Sequence, residues 1–212
     1  YQDDHLVVAD KPHFLPVTPG GRFLQETLLV RLKRRLGIDT LVPLHRLDRE
    51  TAGLVLFSVN PESRAAYAAL LREQGVEKHY EAIALRSDAL QFPLSRSSRI
   101  VEDEQFFRQR EVPGEANALT HIDVLQSGPQ HALYRLNPVT GRKHQLRVHM
   151  LALGLPIVGD QFYPEARAVQ EEDDYRQPLQ LLARSLRFTD PVTGSVRAFE
   201  SQRTLDLALL AP

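Results

Sequence analysis

Residues 117–138 read NALTHIDVLQSGPQHALYRLNP. Two strand-like runs, 117–128 and 131–138, are joined through Ser127–Gln130 alone. A link this short pairs neighbouring antiparallel strands, because a parallel pair needs a crossover of about a dozen residues or more. Working outward, strands again follow strands. SRIVEDEQFFR (98–108) reads as a hairpin turning across Glu102–Glu104, and LQLLARSLRF (179–188) and SVRAFES (195–201) flank the turn DPVTG. VEKHYEAIAL (76–85), GLVLFSVN (53–60) and HLVVADKP (5–12) complete the strand set. The expected fold is therefore α+β, with a large, mainly antiparallel sheet and flanking helices.

Three helices are expected. LQETLLVRLKRRLG (24–37) repeats Leu28, Leu32 and Leu36 at a helical interval and ends at Gly37. Arg31, Lys33, Arg34 and Arg35 decorate the rest of it, which fits a solvated face or an RNA-facing one. PESRAAYAALLREQG (61–75) opens with proline near its first turn and closes on Gly75. GRKHQLRVHMLALG (141–154) carries an apolar stripe of Leu146, Met150 and Leu153, with Thr140 placed to cap it. HFLPVTPGG (13–21) is loop, and the acidic run 171–174 belongs to a surface loop. No repeat and no linker divides the chain, so a single domain over 1–212 is expected.

Composition excludes several classes. The 212 residues include no cysteine, which removes disulfides and thiolate metal sites. No apolar run is long enough for a membrane helix, and the first residues lack the pattern of a signal peptide. A cytoplasmic protein is the default. The net charge of −1 argues against a wholly basic nucleic-acid coat but permits a local basic surface. The basic residues are mostly arginine, which suits phosphate and base stacking.

HRLDRETAGLVLFS (45–58) places His45, Arg46, Asp48, Arg49 and Glu50 directly before a strand that must be buried. Asp48 fits a nucleophile, a general base, a metal ligand or a turn residue. The segment loosely resembles a kinase catalytic loop but lacks the downstream asparagine, the glycine-rich loop and the DFG segment. His144 and His149 are five apart with no glutamate after His144, so the zinc-protease pattern is absent and no metal site is expected. In TGRKHQLRVH (140–149), Gly141, Arg142 and Lys143 would line a helix N-terminus suited to an anion. Arg147 lies beside the apolar stripe and needs a carboxylate partner, either any nearby acid or Asp48. Tyr80 fits a core tyrosine or a base-stacking wall.

Together these segments resemble the RluA family of pseudouridine synthases. HRLDRETAGL (45–54) matches the pattern around that family's catalytic aspartate, with Ala52 in place of serine. KHYEA (78–82) and GRKHQLRVH (141–149) match its second and third motifs. YQDDHLVVADKP (1–12) and GLPIVGDQFY (154–163) are weaker matches, and all five stand in family order. Asp10 replaces the usual asparagine, His13–Phe14 a glycine-containing turn, and Leu182 a frequent histidine.

The resemblance implies a pseudouridine synthase fold with a central RNA-binding cleft. It implies isomerisation of a uridine in ribosomal or transfer RNA, in a stem-loop, with no cofactor and no metal. It implies Asp48 as the essential carboxylate, acting as a nucleophile or removing a ribose proton. Arg147 would pair with Asp48, Tyr80 would stack on the uracil, and Leu146 would wall the ring. Arg46 would fill the gap left by the flipped uridine, while Arg142 and Lys143 would hold phosphates. His45 and His144 would support loop geometry. A monomer without an S4-like RNA-binding domain in this chain is expected. The competing readings are an RNA-binding module without catalysis and a metal-dependent phosphotransferase or hydrolase using Asp48.

Overall fold

The computed structural model describes residues 1–105, 107–164 and 174–211. They form two compact units. One contains Tyr1–Lys78 and Ala183–Arg203; the other contains His79–Leu182 and the chain from Thr204 on. The fold is α+β, and every strand pairing whose register is described is antiparallel.

In the first unit, β1 (Leu6–Lys11) pairs with β3 (Ala52–Ser58), from Leu6 opposite Ser58 to Lys11 opposite Gly53. The short β2 (Val42–Pro43) also pairs with β3. All seven residues of β3 are buried, as its β-branched and aromatic run demands. The core joins Leu6, Val8, Leu54 and Leu56 to Leu186 and Phe188. Tyr67 of α2 (Pro61–Arg72) fills the same cluster. Each such large apolar side chain contributes roughly 1.5–3 kcal/mol on full burial.

The helix ends follow local chemistry. Thr27 caps α1 (Leu28–Leu36) by accepting from the Val30 N–H at 3.3 Å, and Gly37 ends it in the left-handed conformation. Asn60 caps α2 through the Glu62 N–H, ahead of Pro61. At the far end Gln74, not Gly75, takes the positive φ. The Gly75 N–H then returns to the Leu70 carbonyl at 2.8 Å.

In the second unit the strand order is β4 (Val76–Leu85), β8 (His131–Pro138), β7 (Ala118–Ser127), β5 (Leu94–Glu102) and β6 (Gln109–Val112). The 117–138 hairpin forms as expected, its turn closed by the Gly128 N–H on the His131 carbonyl at 2.8 Å. The hairpin expected within 98–108 is displaced: β5 begins at Leu94 and ends at Glu102, and its partner β6 lies beyond 108, with Glu102 opposite Gln109. The unit's core combines Ala82, Ile122, Tyr134 and Leu136 of the sheet with Leu146 and Met150 of α3 (Gln145–Ala152), and Leu153 packs against it. β9 (Leu181–Thr189) and β10 (Val196–Glu200), which from Ala183 on belong to the first unit, pair as the closing strands. Of the acidic run, 171–173 lies outside the described residues.

The third helix starts later than expected, at Gln145. Thr140 does not cap it, because its hydroxyl accepts from the Leu119 N–H at 2.9 Å and donates to the Gln145 side-chain oxygen at 2.7 Å. His144 turns left-handed at φ 54°, so Gly141, Arg142 and Lys143 belong to the preceding loop, not the first helical turn.

Candidate active site

Asp48 stands in the loop between β2 and β3 of the first unit. The loop is held from behind by its backbone. Lys11, at the end of β1, is 0% exposed, and its Nζ donates to the carbonyls of Pro12 (2.9 Å), Leu15 (2.8 Å) and Arg49 (3.0 Å). A buried ammonium with three carbonyl acceptors satisfies all its donors. Burial still pushes its pKa down to about 7, against the pull of the Glu50 and Asp48 carboxylates. His45 anchors the other side by accepting the Leu56 N–H at Nε2, 3.1 Å away. Burial, reinforced by the Lys78 charge, lowers its pKa to about 4, so the ring is neutral at pH 7.

Beyond Asp48 the chain turns sharply. The Thr51 N–H donates to the Asp48 carbonyl at 3.2 Å, and Glu50 is buried beside Arg49, with Nε at 3.1 Å. Gly53 enters β3 at φ +111°, where a Cβ would stand 2.3 Å from the Ala183 carbonyl oxygen. Only glycine fits that backbone approach. The Asp48 side chain itself is half-buried. Arg46 is exposed and makes no side-chain hydrogen bond or ion pair among the described residues.

The second unit carries Tyr80, Leu146 and Arg147. Tyr80 sits on β4 opposite Leu136, half-buried against the core that includes Leu146. Arg147 and Asp160 are each 1% exposed at their side chains and form a two-toothed pair, Nε to Oδ2 at 2.8 Å and Nη2 to Oδ1 at 2.6 Å. Oδ1 also accepts the N–H groups of Phe162 (2.8 Å) and Tyr163 (3.1 Å). The guanidinium lies over the rings of Phe162 (4.8 Å) and Tyr163 (5.4 Å). Such planar, charge-assisted bonding fixes both position and aim. Gly159 makes the turn into Asp160 at φ +77°, where a Cβ would meet the Pro178 carbonyl oxygen at 2.3 Å.

Neighbouring histidines and Tyr163 are also bonded. His144 Nδ1 lies 3.0 Å from the Tyr163 hydroxyl, which bonds both backbone groups of Gln109, and burial raises the Tyr163 pKa to about 12. His149 is fully buried between Thr120 (2.9 Å) and Ser98 (3.0 Å), its pKa lowered to about 4 by burial. Arg142 and Lys143 are exposed, and Arg142 Nε donates to the Asn117 carbonyl at 3.2 Å.

Tyr80, Leu146 and Arg147 thus belong to one unit, and Asp48 and Arg46 to the other. The carboxylate that meets Arg147 within its own unit is Asp160, which reading the sequence did not single out. Its signal was available: the lone charged residue of the run LPIVGDQF (155–162) must be paired once buried. Lys11 likewise ends a buried strand and needed acceptors.

A family model described as RNA pseudouridylate synthase matches residues 5–152. The dual-specificity RNA pseudouridine synthase RluA of Haemophilus influenzae is 36% identical over 208 residues, covering 95% of this chain and 91% of that protein. Ribosomal large subunit pseudouridine synthase D of Nitrosomonas europaea is 32% identical over 221 residues, covering 99% of this chain and 63% of that one. The solved structure of human RNA pseudouridylate synthase domain containing 1 superposes with a TM-score of 0.78 at 24% identity, covering 99% of this chain and 84% of that one.

Proposed function

Because this chain belongs to the RluA family of RNA pseudouridine synthases, which isomerise uridine to pseudouridine in RNA, we propose that it performs that isomerisation with Asp48 as the acting carboxylate. The match carries this reading, because residues 5–152 include all three motif segments, 45–54, 78–82 and 141–149. The reaction balances without a redox partner. The bond from uracil N1 to the ribose breaks, the ring turns, C5 bonds to the ribose, and the C5 proton leaves as N1 regains one.

Asp48 acts as a nucleophile or as the base that removes a ribose proton. Its place in a loop held by backbone contacts supports either role. Arg147 orients the carboxylate, and the rigid clamp of Asp160, Phe162 and Tyr163 supports that role. Tyr80 stacks on the uracil and Leu146 walls the ring. Arg46, exposed in its loop, takes the space that the flipped uridine leaves. Flipping costs a few kcal/mol, which a stacked arginine partly offsets. Arg142 and Lys143 hold phosphates. The substrate is a stem-loop of ribosomal or transfer RNA, and the enzyme acts in the cytoplasm as a monomer.

No helix of the described residues is long and apolar enough to cross a membrane. Release of tritium from RNA carrying 5-tritiated uridine tests the assignment. The wild-type chain releases tritium with or without chelator, and Asp48→Asn loses at least about a thousandfold in rate. Full activity in Asp48→Asn overturns the role given to Asp48.

A further inference from the structure

The mechanism leaves unused a concentration of positive charge in the first unit. Between residues 22 and 36 stand Arg22, Arg31, Lys33, Arg34 and Arg35 with a single acid, Glu26, in a chain of net charge −1. Glu26 is taken by Arg31 at 3.0 Å, while Arg34 meets only the neutral Gln25 among the described residues. Lys33 and Arg35 make no side-chain hydrogen bond or ion pair among the described residues, and Arg31, Arg34 and Arg35 are exposed. On a helix, Arg31 neighbours both Arg34 and Arg35 at spacings where like charges repel. The C-terminal dipole of α1 offsets part of that repulsion. It does not call for four cations on one short helix.

This charge is physically continuous with the loop that carries Asp48. Arg22 lies over the Phe23 ring at 5.0 Å, and Arg49, the residue after Asp48, lies over the same ring at 5.3 Å and over Phe14 at 5.6 Å. The first N–H groups of α1 are bonded to the same loop: Leu28 N donates to Pro16 O at 2.9 Å and Leu29 N to Val17 O at 3.0 Å. Lys11 grips that loop at Leu15 and the catalytic loop at Arg49. A load on α1 is therefore fixed relative to Asp48 through packed rings and backbone bonds.

We propose that α1 and the Arg22–Phe23 segment form a docking surface for RNA phosphates outside the target nucleotide. This rests on the RNA-modifying reading above and extends its contact area along the substrate. RNA is the partner that fits, because it presents regularly spaced phosphates to a row of arginines.

The test measures binding of bulk transfer RNA to the full chain as KCl is varied. Each phosphate contact contributes a slope of about −0.9 in log K against log salt on duplex, and about −0.7 on single strands. The triple variant Lys33→Gln/Arg34→Gln/Arg35→Gln is expected to flatten the slope by about 2–3. The affinity lost between ~50 and ~200 mM salt then shrinks by up to roughly 40-fold. Arg35→Gln alone flattens it by about one unit, while Arg72→Gln, an exposed charge on the other helix of the unit, α2, leaves it unchanged. Circular dichroism controls for folding, and the single variant keeps the test valid if the triple one is unstable. Slopes and affinities equal to wild type in both α1 variants overturn the proposal and leave an acidic protein as the surface's partner. Because binding needs no chemistry, a wild-type chain that binds in this way but releases no tritium would refute the catalytic reading and leave the docking surface standing.

Discussion

The Asp48 loop and the Arg147 helix solve opposite problems. Asp48 is half-buried in a loop without regular structure, and the loop is fixed by groups that grip its backbone: Lys11 on the Arg49 carbonyl, His45 on the Leu56 N–H, and Gly53 pressed against Ala183. Arg147 is buried in a helix and fixed through its own side chain, by a two-toothed carboxylate and two aromatic rings. Under the role proposed for Asp48, the carboxylate needs partial access to solvent, and support from behind leaves that access. A buried guanidinium can be locked directly, and without such a lock it is costly.

The lock on Arg147 is the place to break this contrast first. Asp160→Asn leaves a buried cation without its charge partner and is expected to destabilise the fold by about 3–5 kcal/mol in urea unfolding. Asp48→Asn, at a half-buried loop position, is expected to cost less than about 1 kcal/mol in the same measurement while abolishing activity. Equal costs at the two acids would erase the distinction. The backbone grip is tested next. Gly53→Ala places a Cβ against the Ala183 backbone at a positive φ and is expected to cost about 3–4 kcal/mol. Gly159→Ala, which meets Pro178 O at the same 2.3 Å, should cost a similar amount. A Gly53→Ala chain of wild-type stability would mean that the Asp48 loop is not held as described.

Smaller than the cost at either glycine is the pH dependence. His149 is buried and neutral, with its pKa lowered from 6.5 to about 4. Between those values the unfolded chain binds more protons than the folded one, so stability falls as the pH drops through this window. From pH 6.5 to 5 the loss attributable to His149 is about 2 kcal/mol. His149→Gln should flatten the unfolding profile by that amount. His45, held neutral in the first unit, adds a contribution of the same sign. An unchanged profile in His149→Gln would show that His149 is not the group held neutral.

Alternation and turn chemistry made most of the sheet readable. The runs at 117–128 and 131–138 became β7 and β8, and 76–85 became β4 with the same limits. The start of α3 was misread because Thr140 looks like a cap until Leu119, on another strand, takes its hydroxyl. Gly75 is the expected end of α2, yet Gln74 carries the left-handed turn, because backbone bonds to Leu70 and Leu71 hold it there.

The family was legible through the resemblance of three motif segments, 45–54, 78–82 and 141–149, which hold Asp48, Tyr80 and Arg147. The partners were not. Asp160 for Arg147 and the Arg49 carbonyl for Lys11 lie on segments that meet only in the folded chain. A buried charge declares in the sequence that it needs a counterpart. Which group supplies it depends on which backbones pack together, and that was decided by the tertiary structure.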